Sequence, residues 1–202
     1  MYEREKLIAV KNHAATMRPS HKNIIFVLIV IIPNSRGISF AVLENGDKLI
    51  DWGTKHLPKQ KKGDEKVKTS CKRCYRNDLR IMENLIDFFN PDAIVCENTT
   101  AKNSRRGTRV RDLLRQISLL AAKRKLAFHK YSRIQVMWTF AEYDAETKHD
   151  MASLLGRLFR DLESKVPRKR KAWTSESVWM NVFMALALCV TFFEKGDNQI
   201  CD

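Results

Sequence analysis

At 202 residues the chain has the size of one ordinary domain and is long enough to bury a core. A hydrophobic share of 44% argues against a disordered chain, and five cysteines, scattered and odd in number, argue against a secreted disulfide framework. Lys plus Arg outnumber Asp plus Glu 37 to 23, a net charge of +14 that repels itself unless the partner is a polyanion: nucleic acid first, an anionic membrane surface second.

Residues 1–22 have weak periodicity and end in Arg18-Pro19-Ser20-His21, so they read as a loose or disordered arm or a short helix. The next stretch organises the chain. Residues 24–32 form an unbroken apolar run, rich in β-branched side chains and ended by Pro33, the pattern of a strand buried on both faces. The run is too short to cross a bilayer. Glu3 and Glu5 precede it and no small-residue cleavage site follows, so export is not expected and the cytoplasm is the expected compartment. A turn over residues 33–37 leads to a second strand at 38–43. Asn45-Gly46 is a hairpin dipeptide because both residues tolerate positive φ, and residues 48–52 return as a third strand.

Residues 55–68, lysine-rich with Pro58 and Gly63, read as a basic loop, either a solvated linker or a phosphate contact. Helical spacing follows over 67–89, where Cys74, Leu79, Met82, Leu85, Ile86 and Phe89 fall near one face. Cys71 and Cys74 form a CxxC, yet no second CxxC or histidine pair stands at zinc spacing, so they read as neighbours on one helix face. Residues 93–96 are a short buried strand ending in Glu97. A polar loop over 98–107 carries Lys102, Arg105 and Arg106. From Thr108 a helix buries Val110, Leu113, Leu114, Ile117, Leu120 and Ala121, and its other face is basic.

Residues 126–131 read as a strand, and Ser132 as the cap of a helix running to about 138. A clearer helix spans 147–162 and is broken by Val166-Pro167; the basic cluster Arg168, Lys169, Arg170 and Lys171 comes next. Residues 177–193 are apolar nearly all round, which predicts a helix buried against the sheet. The expected fold class is α/β: a mixed sheet flanked by helices in a single domain over 23–194, with an arm before it and a tail at 195–202.

Three stretches resemble a known family. IIPNSRGISFAVLE looks like the first strand and hairpin of the RNase H-like superfamily, especially the RuvC-type Holliday junction resolvases, whose first strand typically ends Ile-Asp-Pro-Gly. IVCEN is similar to the strand that delivers a glutamate to their metal site. NVFMALALC resembles their closing helix, typically Asp-Ala-Ala-Asp-Ala-Leu-Ala. The resemblance runs in order over about residues 24–193. It implies an RNase H-like fold, a homodimer, and cleavage of branched DNA by carboxylates holding two Mg²⁺ or Mn²⁺ ions.

Carried over residue by residue, the middle glutamate is Glu97, the expected catalytic and metal-binding residue. Ile32 stands at the first-strand aspartate's position, and Asn181 and Met184 stand at those of the closing-helix acids. Each Mg²⁺ normally takes about one or two carboxylates besides phosphate oxygens. One glutamate and one amide hold at most one ion weakly, and a thioether holds none. Glu44, Glu142, Asp144, Glu146 and Glu176 are conceivable substitutes, none at a family position. Glu97 also has a plain reading, as an acceptor for the amides of residues 98–100 or as the partner of a nearby arginine.

The basic residues fare better. Arg36, Lys102, Arg105, Arg106 and Arg109, with Arg168, Lys169, Arg170 and Lys171, flank the cleft the resemblance implies and are the expected nucleic-acid contacts, made through phosphates. Trp138, Trp173 and Trp179 are of the kind that stacks on bases, although Trp179 reads as core. The expectation is a degenerate junction-type nuclease that binds branched DNA and no membrane. One alternative is an active metal-dependent crossover junction endodeoxyribonuclease using Glu97 with displaced acids. The other is a non-catalytic structural or partner-binding subunit.

Overall fold

The computed structural model describes residues 25–34, 37–56, 72–99, 106–171 and 173–195. The apolar run forms β1 (Val27–Asn34), buried at every position from Leu28 to Pro33. It is the middle strand of a five-stranded sheet of order β3-β2-β1-β4-β5, built with β2 (Gly37–Glu44), β3 (Lys48–His56), β4 (Ala93–Glu97) and β5 (Ala127–Tyr131). A strand flanked on both edges and covered on both faces has no solvent side, hence the missing alternation. β1, β2 and β3 are antiparallel neighbours, whereas β4 and β5 join in parallel. The sequence places the strand end at Pro33, but the strand runs on to Asn34. The β4 ladder stops at Ile31↔Cys96, and Pro33 lies beyond it, opposite Ile38 of β2, where a missing N–H is tolerated.

The hairpin forms at the expected dipeptide, with Asn45 at φ 53° and Gly46 at φ 81°. A bulge follows: Val42 faces Asp51 while Leu43 faces Leu49, so Ile50 is the extra residue. Gly46 is required twice over, since a Cβ there would also lie 2.6 Å from the Phe193 ring.

Helices cover both faces. On one side α1 (Lys72–Phe89) and α2 (Thr108–Lys123) lay Met82, Leu85, Leu113 and Ile117 on Ile29, Ile31, Phe40 and Ile94. On the other, α5 (Trp179–Lys195) packs against Leu28, Val30, Ile32 and Val95. The further helices α3 (Arg133–Ala141) and α4 (Lys148–Leu158) close over α5. Sandwiched between sheet and helices, α5 is buried nearly all round, as its composition predicts. Ser132 caps α3 reciprocally: its hydroxyl accepts from the Gln135 amide at 3.2 Å, and the Gln135 side chain accepts from the Ser132 amide at 2.7 Å.

The single helix expected over 147–162 is two elements. Phe159 leaves helical geometry at φ −106° and ψ 89°, and a 3₁₀ turn (Arg160–Lys165) follows. The turn folds Val166 back onto Gly156, where a Cβ would lie only 2.3 Å from the valine Cγ2, and it buries Leu162 completely.

The direction of α5 matters for the site. Phe193 rests on Gly46, and Phe192 and Phe193 both meet the ring of Phe26 just before β1. Its C-terminus therefore covers the start of β1. Helix and strand are each about 25 Å long, so the N-terminus of α5 lies over the C-terminal ends of the parallel strands.

Candidate functional site

Side-chain alternation sets the first two members. Ile31 and Cys96 face each other in register and point into the α1–α2 core, whereas Val30, Ile32 and Val95 point toward α5. Glu97 follows Cys96 and so emerges on the same face as Ile32, opposite Tyr131 of β5. The first half of α5 brings Asn181 and Met184 to this end. Ile32 and Glu97 thus stand at the C-terminal edge of the parallel strands, where open α/β sheets form their crevices, and Asn181 and Met184 lie in the first half of the helix that passes over it.

What occupies that edge is unlike a metal centre. Glu97 Oε2 accepts from Arg106 Nη2 at 2.5 Å and from Nε at 3.0 Å, with both side chains partly exposed. A guanidinium sits where a divalent ion would need the carboxylate. Ile32 is apolar and 2% exposed. Met184 lines a cavity of about 190 Å³ between α3, α4 and α5, beside Met137, Met151 and Glu146. Of the substitute acids, Glu176 pairs with Lys148 at 2.7 Å and Glu44 with Lys48 at 2.9 Å. Among the described residues no three His, Cys, Asp or Glu side chains gather as a metal site would require. Hard divalent cations want several oxygens, so these residues do not fit a two-metal centre.

A second ion pair braces the same edge from the opposite face. Arg109, at the start of α2, donates to Asp78 Oδ2 at 2.6 Å and to the Asn34 carbonyl at 2.9 Å, tying α1 and α2 to the end of β1. Asp78 is fully buried; burial pushes its carboxyl up, and the neighbouring guanidinium pulls it partly back. Its Oδ1 has no hydrogen-bond partner among the described residues. The guanidinium expected to meet DNA is thereby engaged in bracing the fold. Sequence reasoning passed over Asp78, although it stands four residues before Met82 on the buried stripe.

Arg106 comes to the edge with Glu97, while Arg168, Lys169, Arg170 and Lys171 lie exposed on the segment leading into α5. Arg36, Lys102, Arg105 and the Cys71 and Cys74 side chains fall outside the described residues. Trp179 corrects the reading as core: it is 37% exposed at the first position of α5, and the Lys165 ammonium lies 5.3 Å from its ring centroid.

Neither a protein-family model nor a curated protein sequence matches the chain. Solved structures do. Thermus thermophilus RuvC in complex with a Holliday junction substrate gives a TM-score of 0.61 at 14% identity, over 86% of this chain and 96% of that one. The fold is RuvC-like. A second Thermus thermophilus RuvC structure matches at TM-score 0.60 and 13% identity, with the same coverage. The yeast mitochondrial Holliday junction resolvase Ydc2 matches at 0.52 and 12%, over 93% of this chain and 92% of its own. The RuvC-like fold expected from the three motifs is therefore present. No described helix is long and apolar enough to cross a membrane.

Proposed function

We propose that this chain is a RuvC-like nucleic-acid-binding protein that grips branched DNA and does not cut it by the two-metal route. The observation that carries the reading is the Arg106 guanidinium seated on Glu97, the single family carboxylate retained. Two-metal cleavage needs ions that activate water and stabilise a leaving oxygen. An arginine does neither, for it stays protonated and offers no exchangeable water. It does attract phosphate, and phosphate attraction is all that non-cleaving binding requires. The proposed partner is DNA at a branch, and a homodimer, the state the resemblance implies, would present two such edges to it.

The deciding experiment incubates the chain and Glu97→Gln with a labelled four-way junction and a matched duplex, in Mg²⁺ and in Mn²⁺. A native gel of the same samples reports binding. Junction binding without nicking in either metal is the expected result. Nicking lost in Glu97→Gln would make the chain an active crossover junction endonuclease and overturn the proposal. Absence of binding would favour a structural subunit.

A further inference from the structure

Trp173 is 81% exposed, Trp138 65% and Trp179 37%, so three of the chain's four tryptophans present ring surface to water. A large ring left in water forgoes its burial, and exposed aromatics grouped with cations mark an interaction surface. Trp173 and Trp179 belong to one segment. Each has a lysine ammonium over its ring, Lys171 at 5.7 Å from Trp173 and Lys165 at 5.3 Å from Trp179. Arg168 and Lys169 lie exposed on the same segment. Thr174 donates from both its amide and its hydroxyl to the Lys171 carbonyl, at 3.1 and 2.9 Å, and this turn fixes the backbone beside Trp173. The Glu176–Lys148 pair then anchors the segment to α4, and Trp179 opens α5 at the Glu97 end of the sheet. Trp138 stands apart, since its lysine neighbour is Lys195 at the far end of α5.

We propose that Trp173 and Trp179 form a stacking platform for unpaired nucleobases, with Arg168, Lys169 and Lys171 meeting the phosphates between them. A single strand offers a π-face and a phosphate at every nucleotide, and aromatic rings interleaved with cations complement that repeat. A paired duplex hides its π-faces, whereas a branch point exposes them. Anionic lipid also attracts cations and tryptophan, but insertion there is the work of an amphipathic helix, and the described residues between the 3₁₀ turn and α5 form none. The platform rests on the DNA-binding reading above and adds what it recognises.

The test uses the full chain with Trp173→Ala, whose ring is too exposed for its loss to disturb the core, and Trp173→Phe, which keeps a π-face. Affinities for oligothymidylate, a four-way junction and a blunt duplex are measured across a salt series, with tryptophan fluorescence as a second readout. Oligothymidylate quenches the fluorescence of the native chain, and Trp173→Ala binds it about tenfold more weakly. The salt slope stays unchanged, because stacking releases no counterions. Duplex affinity also stays unchanged, and Trp173→Phe recovers most of the loss. Equal oligothymidylate affinity in all three chains, with junction and duplex still bound, overturns the platform and leaves the DNA-binding reading intact. Failure to bind any of the three nucleic acids overturns both, and so does a fluorescence shift seen only with phosphatidylserine vesicles.

Discussion

His129 lies on β5 with its ring edge-on to Phe192, the centroids 5.0 Å apart, and burial holds its pKa below the ordinary 6.5. The folded chain therefore resists a proton that the unfolded chain accepts. Stability from the neutral imidazole is complete above the unfolded pKa and is lost as pH falls below it toward the depressed folded value. The urea midpoint of the native chain is expected to drop as pH falls through and below the ordinary imidazole pKa of about 6.5, and His129→Phe should drop less because its ring cannot charge. Equal drops in both chains would assign the acid sensitivity to other groups. Burial also acts on Cys96 and Cys189, whose thiols it pushes well up. Neither is a nucleophile at neutral pH. At this scale the strand-end carboxylate of Glu97 is spent on an ion pair with Arg106.

The meeting of α4 with the 3₁₀ turn depends on a missing methyl group. Alanine favours a helix interior over glycine by about 1 kcal/mol, yet a Cβ on Gly156 would lie 2.3 Å from Val166 Cγ2. A β-branched side chain cannot swing far, so overpacking outweighs propensity. Gly156→Ala is expected to lower stability by about 1–2 kcal/mol in urea denaturation. The same change made on top of Val166→Ala should be neutral or stabilising, and equal losses in both backgrounds would refute the contact. This junction also shows where sequence legibility ends. The β1 run, the Asn45-Gly46 hairpin, the Ser132 cap and the all-apolar α5 are local signals, written within a few residues, and each is found in place. The break at Phe159 is accompanied by a contact made ten residues apart, Gly156 with Val166, which periodicity does not carry. Trp179 departs from the core reading because composition separates apolar from polar but does not mark which residue of an apolar helix, here its first, stays exposed. Glu97 was legible as a strand-end carboxylate; that Arg106 would claim it was one of several open readings.

Across the whole molecule the charges bear on the proposed reading of a RuvC-like fold that binds without two-metal cleavage. A two-metal centre concentrates negative charge at the end of the parallel strands so that cations collect there. In this chain three acids are answered by the chain's own cations, Glu97 by Arg106, Glu176 by Lys148 and Asp78 by Arg109, within a net charge of +14. Arg168 and Lys169 then stand exposed on the approach to α5. Attraction to DNA should accordingly come from released counterions, with log affinity falling by about 0.9 per phosphate contact for each decade of salt. Arg168→Ala combined with Lys169→Ala is expected to reduce that slope by about 1–2 and to weaken duplex and junction alike, because phosphate contacts carry no information on sequence or shape. Binding measured by anisotropy across a salt series checks both points. An unchanged slope would move the phosphate-binding surface away from this segment. A slope change confined to the junction would mean that these cations recognise the branch itself, a role for geometry that charge alone does not supply.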